Sequence, residues 1–282
     1  MPAATIEIFK KATALNKEEK GRSGNIINLP DKGRLIITGD LHGNISGYEL
    51  IAKYANLEAN PDTHIIFQEI IHGGPEDFLG GCLSFKLLVK VAALKIQYPD
   101  NVHFIMANHD MSAICGTDVL RGGKEMTKAF HAAIDRYYGT YSEMVLLALR
   151  QFLFSQALAV RTPNGILVSH SLPANRFEKD FDFTIFDRPL TMTDINRPNS
   201  AYLLVWGRDH SADFLERFAD KMGVKLFVVG HQKQDDGWKR VDPNMLILAC
   251  DHNNGSIASI DLSKQYSLDE LCNCVSYLID LY

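Results

Sequence analysis

The chain has 282 residues, of which 46% are apolar and 22% charged, with a formal net charge of −5. That balance belongs to an ordinary folded chain, and the negative charge leaves no basic footprint for gripping a nucleic-acid backbone. No run of about 18 apolar residues is present to span a bilayer, and the opening stretch MPAATIEIFKKATALNKEEKGRSG holds no apolar core of signal-peptide length. The five cysteines, Cys82, Cys115, Cys250, Cys272 and Cys274, are odd in number and lack metal-site spacing. They read as reduced thiols and point to the cytoplasm.

No internal repeat, low-complexity tract or flexible linker interrupts the chain. Residues 1–33 read as a charged, partly helical N-terminal segment, and residues 34–282 as one domain ending in a helix. The first apolar run is RLIIT (34–38), followed by a helical pattern over 45–57. HIIF (64–67) comes next, then helical spacing over 78–98 despite early glycines, then VHFIM (102–106). Residues 123–153 read as two helices broken near Gly139. GILVS (165–169) precedes a helix over 211–223 that opens on Ser211 as a cap and closes on Gly223. KLFVV (225–229) and MLILAC (245–250) follow, and Ser267 with Glu270 at capping-box spacing starts the expected C-terminal helix. Short apolar strands alternating with helices predict an α/β layered fold. In such folds, polar residues just past strand ends gather at one edge, where ligands bind.

Five of these strands run directly into a residue able to bind a metal. They lead to Asp40 and His42 in GDLHGN, to Glu69, to Asn108, His109 and Asp110 in ANHD, to His170, and to His231. An acid placed straight after a buried strand is costly unless it is paired or holds a cation. The mixed carboxylate, imidazole and amide donors suit manganese, iron or zinc better than calcium. They are too many for one tetrahedral ion and fit two ions about 3.5–4 Å apart sharing one carboxylate, an arrangement suited to phosphoester hydrolysis.

The ordered series GDLHGN, a mid-chain acid, NHD, SH and GHQ resembles the calcineurin-like metallophosphoesterases. Within them it is most similar to the phosphoprotein phosphatase (serine/threonine protein phosphatase) branch, over roughly residues 34 to 260. SHSLP (169–173), LLVWGRD (203–209) and VVGHQKQDDGW (228–238) add secondary matches to that branch. The resemblance implies an αββα sandwich of two mixed β-sheets flanked by helices. It implies that Asp40 and His42 bind a first metal, that Asn108, His170 and His231 bind a second, and that Glu69 bridges them. His109 would be the general acid, and a metal-bridging hydroxide would attack phosphorus. The cofactors would be two divalent or trivalent transition-metal ions, manganese first, with iron or zinc as alternatives. The substrate would be a phosphorylated protein or a small phosphoester.

The second motif departs from the family pattern Gly-Asp-x-x-Asp-Arg-Gly. QEIIHGG puts Gln68 for Gly, Glu69 for the bridging Asp, His72 for the second Asp and Gly73 for the Arg. Gln68 is read as marking a rearranged backbone. With the second Asp gone, Asp110 or a carboxylate distant in sequence is expected to orient His109, while His72 is either an extra ligand or a loop residue. With the Arg gone, Arg208 is the candidate phosphate clamp, weighed against a surface role. Asp251 and His252 stand where they could touch substrate, and His64 and His103 read as structural. Two other readings stay open: a hydrolase of small phosphoesters such as dinucleoside polyphosphates, and a weakly active protein that binds phosphorylated partners.

Overall fold

The computed structural model describes residues 2–281. Among these, seven strands form one mixed sheet in the order Arg22–Ser23, Ile26–Asn28, Ala159–Arg161, Ile166–Ser169, Leu226–Val229, Met245–Leu248, Trp238–Val241. Five form a second, in the order Val275–Tyr277, Ser256–Asp261, Arg34–Asp40, Thr63–Gln68, Val102–Ile105. Leu35, Ile37, Ile66 and Ile105 of one sheet pack with Val160, Val168, Val228 and Leu246 of the other in a single apolar layer. The alternate residues Ile36, Ile65, Phe67, Phe227 and Val229 join the core that includes the helices. Both faces of the central strands are therefore buried. That is why they read as unbroken apolar runs rather than alternating ones, and each such side chain contributes about 1.5–3 kcal/mol. The expected αββα layering is what the chain adopts.

Three strands of the five-stranded sheet, Arg34–Asp40, Thr63–Gln68 and Val102–Ile105, run parallel. Ile166–Ser169, Leu226–Val229 and Met245–Leu248 do the same in the other sheet. Their carboxyl ends deliver the polar residues that the sequence singled out.

Several elements differ from expectation for local reasons. The helix expected over 78–98 begins only at Phe85 (Phe85–Gln97). Before it, Asp77 Oδ1 accepts from the Leu79 and Gly81 amides and holds 77–81 as a turn. Residues 123–153 break at Gly139 as expected, into Met126–Tyr138 and Ser142–Phe154, but Lys124–Glu125 pairs with Leu120–Arg121 as a hairpin. The C-terminal helix is corrected most. The Ser267–Glu270 capping box forms, yet the helix spans only Leu268–Cys272, and Val275–Tyr277 then pairs along Ser256–Asp261. The open sheet edge outcompetes helical continuation through the β-branched Val275.

The helix Pro2–Lys17 packs on Phe85–Gln97 and Ser142–Phe154. Just beyond it, Glu19 is buried, with Lys95 Nζ 2.9 Å from its Oε2 and His103 Nδ1 against its Oε1. His103 Nε2 lies 2.9 Å from His64 Nδ1, so both histidines are structural, as read from the sequence. Burial raises the Glu19 carboxyl, but the His103 and Lys95 contacts outweigh it and hold the group below its usual value. Burial and then His103 push His64 down to about 4. No helix among the described residues is long and apolar enough to cross a membrane.

Candidate metal centre

The strand ends converge on a cavity of about 540 Å³ walled by Asp40, His42, Glu69, Asn108, His109 and His231. Four site residues hold left-handed backbones: His42 (φ 42°), Glu69 (45°), His72 (65°) and His231 (65°). Each such residue costs on the order of 1–3 kcal/mol, and such strain gathers where side chains must be aimed. The turns that carry His42 and His72 touch backbone to backbone. A Cβ on Gly43 would meet the Gly73 carbonyl oxygen at 2.4 Å, so only glycine fits there.

The ligand atoms of His42, Glu69 and His109 lie within 4.8 Å of one another, as do those of Glu69, His170 and His231. Glu69 belongs to both sets. Its backbone carbonyl accepts from the Leu41 and His42 amides at 3.1 and 2.7 Å, which fixes its position relative to the GDLHGN turn. Asp40 stands beside these sets, its two oxygens accepting from the His231 amide at 2.9 and 3.0 Å.

Hydrogen bonding fixes how the imidazoles are presented. Gln68 Nε2 donates to the Thr38 carbonyl at 2.8 Å, so its Oε1 is the acceptor facing His170 Nδ1 at 2.9 Å. Burial drives His170 down to about 4, so the ring is neutral, its proton is on Nδ1 and Nε2 carries a lone pair. That lone pair meets Asn108 Oδ1 at 2.8 Å, Glu69 Oε2 at 3.0 Å and His231 Nδ1 at 3.2 Å. Electron-rich atoms so close repel unless protons or a cation lie among them. Ligands about 2.1 Å from an octahedral ion are separated by about 3.0 Å along each edge, which matches these spacings. His42 Nδ1 likewise faces the Ile71 carbonyl at 2.9 Å, which turns its Nε2 away from the backbone.

The electrostatics point the same way. Burial pushes Asp40 up to about 7 and Glu69 up to about 8. Burial holds His42, His109 and His231 well below the usual imidazole value. Two buried carboxyls facing neutral imidazoles form a donor set that a cation would satisfy.

The second-motif substitutions acquire roles that their sequence positions hide. Gln68 orients His170. His72 Nδ1 lies 3.0 Å from His109 Nδ1, and His72 packs edge-on against Phe130. The contact expected from Asp110 is thus made by His72. Asp110 Oδ2 instead accepts from the Ala107 amide at 3.0 Å and caps its own helix. His72 belongs to neither donor set among the described residues. Arg208, weighed in the sequence between a phosphate clamp and a surface role, lines the cavity. Asp251 lines it too, but His252 turns its Nε2 to the Gln234 carbonyl at 2.7 Å. Arg121, which sequence reasoning passed over, also stands on the wall.

Two mixed sheets with metal-competent donors at their strand ends define a metallophosphoesterase. Residues 33–235 match the model of the calcineurin-like phosphoesterase family, and the chain belongs to that family. It is 22% identical over 260 residues to the protein named "Probable serine/threonine-protein phosphatase" in Encephalitozoon cuniculi, covering 86% of this chain and 49% of that one. It is 26% identical over 229 residues to Shewanella-like protein phosphatase 1 of Plasmodium berghei, covering 73% of this chain and 63% of the relative. The chain thus spans about half of the first relative and under two thirds of the second. Among solved structures, a Saccharomyces cerevisiae protein serine/threonine phosphatase superposes with a TM-score of 0.69 at 17% identity, over 92% of this chain and 82% of that one. The cold-active protein-tyrosine phosphatase of a psychrophilic Shewanella gives 0.62 at 13% identity, over 93% and 84%. These likenesses show a shared fold.

Proposed function

We propose that the chain is a metal-dependent phosphomonoesterase of the protein-phosphatase type, with its catalytic domain over residues 34–282 and two transition-metal ions, manganese foremost. The observation that carries this reading is that Glu69 belongs to both donor sets. Asp40, His42 and Glu69 would hold one ion, and Glu69, Asn108, His170 and His231 the other. The pair, when bound, supplies an acidified water and polarises the phosphoryl oxygens.

The chain's own residues do the rest. Arg208 neutralises and orients the phosphoryl group. His109 gives a proton to the leaving oxygen as its bond to phosphorus breaks, so that the alcohol departs neutral. Burial, followed by His42 and His72, keeps His109 neutral, and an arriving phosphate dianion adds the negative charge that favours its protonated form. His72, buried and hydrogen-bonded to His109 Nδ1, fixes the ring so that its other edge faces the cavity.

His109→Ala is expected to retain the metals while kcat falls by roughly 10²–10⁴-fold. Metal analysis and turnover of an aryl phosphate on the same sample check this, and an unchanged kcat rules out the acid role. Gln68→Leu is expected to weaken metal affinity by about 10–100-fold, because His170 loses the acceptor that fixes its tautomer. Competition against a chelator reads that shift, and an unchanged affinity would show that His170 needs no such partner.

A further inference from the structure

The hairpin Leu120–Arg121 / Lys124–Glu125 has no part in the chemistry above, yet its first strand stands on the cavity wall. Its base is tied down. Asp118 Oδ1 accepts from the Val119 and Thr127 amides, both at 3.0 Å, and Lys124 Nζ lies 2.6 Å from Glu76 Oε1. Its tip is Gly122-Gly123, both at positive φ, where an added Cβ would meet nothing within 4 Å. The hairpin is thus a fixed arm whose Arg121 side chain enters the site from a wall that the sheets do not supply.

The guanidinium is placed by two neighbours. Arg121 Nη2 lies 2.5 Å from Asp251 Oδ2, on the loop after Met245–Leu248. Arg121 Nη1 lies 2.5 Å from where a Cβ on Gly73 would stand, so the absence of a side chain at 73 is what makes room for it. Among the described residues, the Asp251 contact is the one hydrogen bond this guanidinium makes. A guanidinium carries five N–H donors, so most of them remain for a ligand in the cavity. Arg121 lines the same cavity as His42, Glu69 and His109, the residues at the reacting end.

We propose that Arg121 is a phosphate-binding residue of this site: its guanidinium, aimed by Asp251 and seated over Gly73, binds the phosphoryl oxygens of a phosphomonoester together with Arg208. Asp251 is its positioning residue. The proposal rests on the phosphoesterase reading for the identity of the ligand, but not for the existence of an anion site. Two arginine forks lining one cavity suit a dianion better than one, because a planar fork offers paired, charge-assisted hydrogen bonds to two oxygens at once.

The test is calorimetric titration of inorganic phosphate into the manganese-loaded protein, alongside KM and kcat for p-nitrophenyl phosphate. Arg121→Met is expected to weaken phosphate binding roughly 10- to 100-fold, with the kinetic loss mainly in KM and the metal content unchanged. Arg121→Lys keeps a charge for Asp251 but lacks the fork, and is expected to recover only part of the affinity. Asp251→Asn is expected to fall between wild type and Arg121→Met. Thermal midpoints accompany each variant, and Arg121→Lys guards against a folding defect in the methionine variant. Phosphate binding within twofold of wild type in Arg121→Lys and Arg121→Met overturns the proposal. A wild type that binds phosphate yet hydrolyses no ester overturns the hydrolase reading alone, and the titration still decides on Arg121. A wild type that binds no phosphate overturns both.

Discussion

Glu69→Ala is expected to reduce bound manganese from two ions per chain to one or none and to lower turnover by at least about 10³-fold. The physical reason is geometric. Among the described residues, Glu69 is the one shared by the two donor sets, with Oε1 accepting from the His109 amide at 3.2 Å and Oε2 lying 3.0 Å from His170 Nε2. Truncation would remove a donor from each set, and with it the carboxylate charge that both share. The transition-state stabilisation a metal supplies is several kcal/mol, which converts to about three decades in rate. Glu69→Gln, which keeps the shape but not the charge, is expected to lie between the alanine variant and wild type. Elemental analysis with turnover on the same samples measures both effects, and two retained ions in the alanine variant would remove Glu69 from the bridge.

The second large effect is on stability and lies at the opposite ends of the strands. Glu19→Ala is expected to destabilise the fold by about 3–5 kcal/mol at pH 7, because it leaves the Lys95 ammonium buried without its partner. Among the described residues, Lys95 would keep the Pro99 and Val102 carbonyls, at 2.9 and 2.7 Å. Replacing both charges by apolar groups, as in Glu19→Leu with Lys95→Met, is expected to restore much of the loss, since no uncompensated charge then remains. The pH dependence follows in sign. Glu19 is held below its usual value of 4.5, so its contribution is present above that pH and is lost as pH falls through the lowered folded value. His64 is held down at about 4 against its usual 6.5, so the folded state resists its protonation and stability falls as pH drops from 6.5 towards 4. Urea unfolding at several pH values reads both trends. A Glu19→Ala loss under about 1 kcal/mol at pH 7 would mean that the pair contributes no more than an exposed one.

The candidate donors Asp40, His42, Glu69, Asn108, His170 and His231 could be picked out in the sequence because each stands at or just past the carboxyl end of a strand buried on both faces. Such strands announce themselves as apolar runs, and the first polar residue after them stands out. The residues that aim and support these donors were not legible, because their partners are remote in the chain. Gln68 meets His170 102 positions away, and Arg121 meets Asp251 130 positions away. His72, in place of the lost acid, was read as an extra ligand or a loop residue. Its role depends on a left-handed backbone that turns the ring onto His109, and no residue pattern encodes that conformation. Asp110 misled for the converse reason: adjacency to His109 suggested contact, whereas the first turn of a helix directs its carboxylate back to the Ala107 amide. The chain's end misled because Ser267 and Glu270 mark where a helix starts but not how far it runs, and a free sheet edge claimed Val275–Tyr277.

Whether these strand ends form a two-ion phosphoesterase site is decided by titrating manganese into chelator-stripped wild-type protein while following p-nitrophenyl phosphate turnover. Turnover is expected to be absent after stripping, saturation to come at two ions per chain, and activity to rise with occupancy of the second ion. Saturation at one ion or none, or turnover that survives stripping, would contradict a two-ion site.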